Sequence, residues 1–294
     1  MDFLSPVSWD EALAAKAARP DAVPIAGGTD VMVELNLTAH RPPALLDLTK
    51  IAELKTWELT TEGHVRLGAG VTYRQVIDEL ADQLPGLAMA ARTVGSPQIR
   101  NRGTVGGNLG AASPAGDCHP PLLASRAKVE VASVNGRRTI PIDEFFTGVK
   151  QNALEPDELI ADVIVPMERG PQQFSKIGTR NAMVIAVCSF AIALDVHNEQ
   201  VGTGIGSAAP TPIRAWEAES YLADVLQGLR LWRRRSSLPE SVVRRFGELV
   251  AEAAAPIDDV RGTAAYRRHA LDVLARRTLT WAWGDYWATG HSAA

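Results

Sequence analysis

Short apolar runs, broken at glycine and proline, fill the first 170 or so residues, while apolar positions at helical spacing dominate beyond residue 216. Ser8-Trp-Asp-Glu11 is a capping box and predicts a helix through Ala12–Ala18 that Arg19-Pro20 ends. Ala22–Ile25 reads as a short buried strand, Val31–Leu37 continues apolar, and Ala44–Leu48 reads as another strand. That order predicts a small α/β lobe ending near residue 55. A second lobe opens with the strand His64–Gly70. Thr72-Tyr-Arg-Gln75 then caps a helix through Leu84, which Pro85-Gly86 breaks. Residues 93–125 hold a glycine loop and a short helix led by Pro120-Pro121, and Val129–Val134, Thr139–Ile142 and Leu159–Pro166 read as strands.

Met167-Glu-Arg-Gly-Pro171 is the best boundary. Beyond it, Val184–Asp195 and Val201–Ala208 are strand candidates joined by the turn-like His197-Asn-Glu-Gln200. Gly202, Gly204 and Gly206 inside a strand indicate close backbone packing. Glu217–Leu231, Pro239–Ala255 and Thr263–Trp283 are predicted helices, and Arg233-Arg-Arg235 is a solvated face or a contact with an acidic partner. Four of the seven tryptophans follow residue 230, so that end either packs a core or docks on another chain. The expected organisation is α+β. Residues 1–170 form one domain, with lobes of about 1–55 and 56–170, and residues 171–294 form an antiparallel sheet with helices.

Composition narrows the function. At 294 residues, 46% hydrophobic and 22% charged, the chain suits a soluble globular protein with two or three cores. A net charge of −4 gives no reason to expect nucleic acid. No apolar run reaches the roughly 18 residues of a membrane span, and the start lacks the pattern of a signal peptide, so a cytoplasmic protein is expected. The cysteines are Cys118 and Cys188 alone, too few for an iron–sulfur cluster, which takes about four. Cys118-His119 beside Asp117 lacks a second ligand pair for a metal, and Cys188 reads as a small buried hydrophobe.

Two glycine pairs carry the chemistry: Ala26-Gly-Gly-Thr-Asp30 and Thr104-Val-Gly-Gly-Asn108. Without Cβ atoms the backbone amides can approach a bulky anion, and neither segment continues into the Lys-Ser/Thr of a triphosphate loop. Two such segments suggest a clamp for a long diphosphate ligand, for which FAD is the natural candidate. Gly68-x-Gly70-x-x-Tyr73 misses the third glycine of a dinucleotide fingerprint and reads as a tight turn. No Gly-x-Ser-x-Gly, His-Glu-x-x-His or carboxylate pair in a loop is present, so a cofactor does the reacting while the protein positions it. On local pattern Asp117 caps the helix at Pro120, Asp30 satisfies its own backbone and Lys176 is a surface lysine. The functional alternatives are a carboxylate for ribityl hydroxyls, a residue turning the preceding amides outward, and a cation beside a flavin.

Ala26–Asp30, the run Ser96–Asn108, Ser113-Pro-Ala-Gly-Asp117 and the ending Pro256–Arg267 together resemble the FAD-binding (medium) subunits of molybdenum hydroxylases, which include xanthine dehydrogenase and carbon monoxide dehydrogenase. The resemblance implies a two-lobed FAD-binding domain of the PCMH type followed by a C-terminal domain like that of the carbon monoxide dehydrogenase flavoprotein. It implies that Ala26, Gly27, Gly28, Thr29 and Asp30, with Thr104, Val105, Gly106, Gly107 and Asn108, clasp the FAD diphosphate through backbone amides. Val94, Gly95 and Ser96 would line the same cleft, Asp117 would hold ribityl or ribose hydroxyls, Ile160 would pack on the cofactor and Lys176 would lie near the flavin.

The implied partners are a large subunit with a molybdenum cofactor and a small subunit with 2Fe-2S clusters, with NAD as a possible acceptor. Lys176-Ile-Gly-Thr-Arg-Asn-Ala-Met183 looks more like the purine- and xanthine-oxidising branch than the carbon monoxide branch. Arg214-Ala-Trp216 stands where the family runs Arg-Ala-Pro, and Leu229–Arg235 is unusually long and basic. The competing readings are a carbon monoxide, aldehyde or N-heterocycle hydroxylase subunit, a self-contained NAD-dependent dehydrogenase using Gly68-x-Gly70, and an FAD-free binding or assembly module.

Overall fold

The computed structural model describes residues 1–38, 41–167, 170–234 and 236–291. His40, the Glu168-Arg169 centre of the expected boundary and Arg235 of the basic run lie outside the described residues.

In the first lobe Ala44–Asp47 is the middle strand of a three-stranded sheet, parallel to both Asp2–Leu4 and Ala22–Ile25. The helix Trp9–Ala18 connects the outer strands and buries Trp9, Ala12 and Leu13. Ser8 Oγ accepts from the Glu11 amide at 3.3 Å, but the Glu11 carboxylate takes the Val7 amide at 2.9 Å, so the capping box closes one residue early. Val31–Leu37 is helical and starts directly after the first glycine pair.

The second lobe is built on an antiparallel sheet in the order Trp57–Leu59, His64–Gly68, Leu159–Pro166, Lys128–Ser133, Gly136–Pro141. Strand alternation buries Val65, Leu67, Val129, Val131, Val163 and Val165. On the opposite face Arg66 joins Glu130 at 2.5 Å and Asp162 at 2.8 Å across three neighbouring strands. Five short helices cover the buried side: Tyr73–Glu79, Pro85–Thr93, Pro97–Arg102, Val105–Ala111 and His119–Ala124.

Two expectations change here. Pro85 opens a helix instead of breaking one, because its missing amide hydrogen has no intrahelical partner to lose at the first position. The second glycine pair is not a loop but the first turn of a helix, with Thr104 as its cap.

Gln172–Ile177, Cys188–Asp195 and Gln200–Gly206 form the C-terminal antiparallel sheet. Its two faces serve two cores. Phe174, Ala191 and Ala193 pack into the FAD-side core, while Phe190, Ile192 and Leu194 pack under the C-terminal helices. A Cβ at Gly202 would overlap the Ala124 carbonyl, and one at Gly204 the Pro120 carbonyl. The glycine strand is therefore a bed on which the helix His119–Ala124 lies flush, which fastens the segment bearing Asp117 to the C-terminal sheet.

The terminal helices are Trp216–Gly228, Leu231–Arg234, Glu240–Ala253 and Ala264–His291. Trp232 meets Trp283 and Tyr286 edge-on at 5.7 and 5.8 Å, whereas Trp281 and Trp287 are exposed, so the tryptophan-rich end divides between core and surface. Trp216, at the family's usual proline, is exposed and lies under the Arg214 guanidinium at 3.6 Å. No helix of the described residues is long and apolar enough to cross a membrane.

Candidate FAD-binding cleft

A cleft of about 1090 Å³ opens between the two lobes and reaches the C-terminal domain at Met183, Val184 and Ile185. Small-molecule sites span roughly 300–1,000 Å³, so this one suits a long ligand. Gly27 lies so close to the chain at Arg102 that a Cβ there would overlap the Arg102 carbonyl oxygen, which brings the two glycine segments together. Gly28 has φ +74°, a left-handed conformation that an L side chain adopts only under strain.

The two segments then differ. Among the described residues the amides of Gly27, Gly28, Thr29 and Asp30 donate to no protein acceptor, and all four residues line the cleft. Successive free amides around a left-handed residue form a nest for an anion. In the second segment the Val105 amide donates to Val71 O at 3.0 Å and Gly106 to Ala69 O at 3.1 Å. The Gly107 amide donates to Thr104 Oγ1 at 2.9 Å and that of Asn108 to Thr104 O at 3.0 Å. These amides hold the protein together; the segment offers the cleft a wall without side chains at Gly106 and Gly107 and the Asn108 side chain, whose buried Oδ1 has no partner.

Of the residues expected here, Ala26, Thr29, Asp30, Val94, Gly95, Thr104, Asn108, Asp117 and Ile160 line the cleft beside the glycines. Ser96, Val105 and Lys176 do not. Ser96 caps the helix Pro97–Arg102 by accepting from the Ile99 amide at 3.4 Å, and Val105 is wholly buried in the core. Asp30 precedes its helix without a side-chain cap and is exposed. Arg100, which local pattern did not single out, ties down the Val94–Gly95 turn by donating to both carbonyls at 3.0 Å. Its only trace in the sequence is its place inside the conspicuous Ser96–Asn108 run.

Asp117 is not a helix cap. Cys118 occupies that position without a side-chain bond, and Asp117 turns the other way to meet Lys176 Nζ at 2.5 Å and Thr93 Oγ1 at 3.3 Å. Lys176 is no surface lysine: its side chain is 7% exposed, and it also donates to Thr93 O at 3.2 Å. It stands behind Asp117 on the strand Gln172–Ile177 and links the C-terminal sheet to the cleft wall. Burial pushes the Asp117 carboxyl above its ordinary value, while Lys176 and Thr93 pull it back. Asp117 Oδ1 is buried with no protein partner although Asp117 lines the cleft, so an acceptor is left for a ligand hydroxyl.

His119 supports this wall from beneath. Its ring lies under Gly116, approaches the Asn108 carbonyl with Nε2 at 3.2 Å and tilts on Phe146 at 4.7 Å. Burial lowers its pKa to about 4. The unfolded chain then binds a proton in a range where the native chain does not, so stability falls as pH drops from 6.5 toward 4. His119→Phe is expected to remove this loss, which amounts to roughly 3 kcal/mol at pH 4. Chemical denaturation at pH 7 and pH 4.5 checks it: an acid limb as steep in the variant as in the parent chain refutes the assignment.

Free amides at Gly27–Asp30 and an unpartnered buried oxygen of Asp117 share one cleft in a bilobal α/β frame closed by an antiparallel sheet, an arrangement suited to a dinucleotide. Two family profiles match the chain: the FAD binding domain in molybdopterin dehydrogenase over residues 1–168 and the CO dehydrogenase flavoprotein C-terminal domain over residues 173–282. The chain belongs to the FAD-binding subunits of the molybdenum hydroxylases; it is an oxidoreductase subunit and its cofactor is FAD. It is 31% identical to the putative xanthine dehydrogenase FAD-binding subunit XdhB of Escherichia coli (strain K12), covering 90% of this chain and 89% of that protein. It is 32% identical to the nicotine 6-hydroxylase medium subunit of Paenarthrobacter nicotinovorans, covering 94% and 95%. Among solved structures it superposes on a chain of carbon monoxide dehydrogenase from Hydrogenophaga pseudoflava with TM-score 0.87 and 27% identity, covering 97% and 98%.

Proposed function

We propose that this chain is the flavin-carrying subunit of a complex whose partners are a large molybdenum-cofactor subunit and a small subunit with 2Fe-2S clusters. It passes electrons from the clusters to NAD⁺ or another acceptor during xanthine or purine oxidation. Bound FAD supplies a carrier that accepts electrons singly and releases them as a pair. The observation that carries this reading is the row of four free amides at Gly27–Asp30 in one cleft with the unpartnered oxygen of Asp117. The amides hold the diphosphate, Asp117 orients ribityl hydroxyls, and Ile160 gives the cofactor an apolar surface. Lys176, from behind, favours the charged form of Asp117 against the opposing effect of burial. With two cysteines in the whole chain, clusters belong to a partner.

The purine branch rests on the similarity to the Escherichia coli xanthine dehydrogenase subunit and on the segment Lys176–Met183. A second reading, hydroxylation of an N-heterocycle, is favoured by the 32% identity to the nicotine 6-hydroxylase subunit, against 31% to the xanthine dehydrogenase subunit. Purification from its native host with its partners is expected to give a yellow complex containing molybdenum and iron, from which denaturation releases FAD. Turnover of xanthine rather than nicotine, with NAD⁺ as acceptor, supports the first reading. A colourless folded chain that takes up no added FAD, or one that binds NADH instead, rejects both.

A further inference from the structure

The charges lining the cleft leave one cation without an assignment in the place where a diphosphate would need it. Lys16 donates to Pro20 O and Ala22 O at 2.8 Å, Lys150 pairs with Glu34 at 3.2 Å, and Lys176 behind the wall serves Asp117. Arg102 and Lys55 also line the cleft and are exposed, and among the described residues neither side chain bonds to a protein group. Their positions differ. Arg102 has its own carbonyl packed on Gly27, beside the free amides, whereas Lys55 belongs to the turn where Gly70 donates to Leu54 O at 2.7 Å. The nest also carries a handicap. Asp30 is exposed at its edge and forms no ion pair among the described residues, so its carboxylate opposes any dianion placed there.

We propose that Arg102 is the counter-ion for the FAD diphosphate, offsetting Asp30 and adding a planar donor to amides that are neutral by themselves. The proposal rests on the FAD-binding reading above. An arginine can reach two phosphate oxygens at once from its fixed fork and brings a full positive charge, which the neutral backbone amides lack.

The test uses the full chain, stripped of flavin and titrated with FAD by flavin fluorescence at low and high salt. Arg102→Ala is expected to weaken FAD binding about tenfold, the loss of one hydrogen bond to a charged group. It is also expected to flatten the salt dependence of the dissociation constant, since the screened charge is gone. Arg102→Lys restores most of the salt dependence and part of the affinity. Lys55→Ala, a free cleft cation away from the nest, changes affinity less than threefold. Unchanged affinity in Arg102→Ala overturns the proposal, as does a loss with an unaltered salt slope that lysine fails to rescue. An equal effect of Lys55→Ala also overturns it, because any cleft cation would then suffice. Failure of the parent chain to bind FAD removes the underlying reading instead, so the two failures are distinguishable.

Discussion

Gly27→Val is expected to leave the chain folded but nearly colourless. A side chain at this position overlaps the carbonyl oxygen of Arg102, which is backbone and cannot rotate away. Relief requires the first lobe to move off the helix Pro97–Arg102, and that displaces the free amides of Gly27–Asp30 from the cleft wall. Forcing extra methyl groups into such a contact costs about 1–3 kcal/mol. A shift that also breaks up the anion nest raises the FAD dissociation constant about a hundredfold, equivalent to about 2.7 kcal/mol. Flavin absorbance per chain after purification, together with titration of the stripped protein, measures it. Gly284→Ala, where a Cβ meets nothing within 4 Å, is the matched control and keeps full flavin content. A Gly27→Val protein that retains FAD at the parent affinity shows that the diphosphate is held elsewhere.

Lys176→Met is expected to destabilise the protein by about 3–5 kcal/mol at neutral pH, because it strands a buried carboxylate. Asp117 is 8% exposed and has Lys176 as its only charged partner among the described residues. Burial already holds its carboxyl above the ordinary 3.8, and removing the lysine raises it further. A carboxyl with a higher pKa in the native chain than in the unfolded one binds its proton more tightly when folded. Stability therefore falls as pH rises through the interval above 3.8 and is recovered on acidification. The deficit of Lys176→Met is thus greatest near pH 7 and shrinks toward pH 4. Adding Asp117→Asn to the same chain removes the stranded charge and restores most of the stability at pH 7, so the two substitutions are strongly non-additive. Denaturant unfolding of the four proteins across pH checks this. A deficit independent of pH, or simple additivity, is incompatible with a buried ion pair at this position.

Asp117, Lys176 and the second glycine pair show why local pattern and tertiary structure disagree where they do. Asp117 stands two residues before the helix His119–Ala124, so a cap was the simplest use of it, and Lys176 sits among polar neighbours in a half-exposed strand. They are 59 positions apart in the sequence, and neither identity nor spacing marks them as a pair. Only the sheet bed of Gly202 and Gly204, which seats that helix on the C-terminal strands, brings them together. Thr104–Asn108 was legible as a place for close approach because glycine's missing side chain is a local property. Its helical conformation was not, because two glycines disfavour a helix and the bonds that hold it come from Val71 and Ala69.

What the residues by themselves determined was the main strands of the second lobe, the C-terminal helices, the close packing at the glycine positions and the shortage of cysteines for a cluster. The strands Asp2–Leu4, Trp57–Leu59 and Gln172–Ile177 and the helices Pro97–Arg102 and Val105–Ala111 emerged only in the fold. The capping boxes, the strand alternation of Val129–Val131 and Val163–Val165 and the count of cysteines are local or additive properties of the chain. What only the folded protein decided was which of the two glycine segments keeps its amides free, that Lys176 stands behind the cleft wall and that Arg102 lines the cleft. A free hydrogen-bond donor or an unpaired charge is defined by what surrounds it, and here the surroundings come from segments dozens of residues away, joined through two cores packed on opposite faces of one sheet.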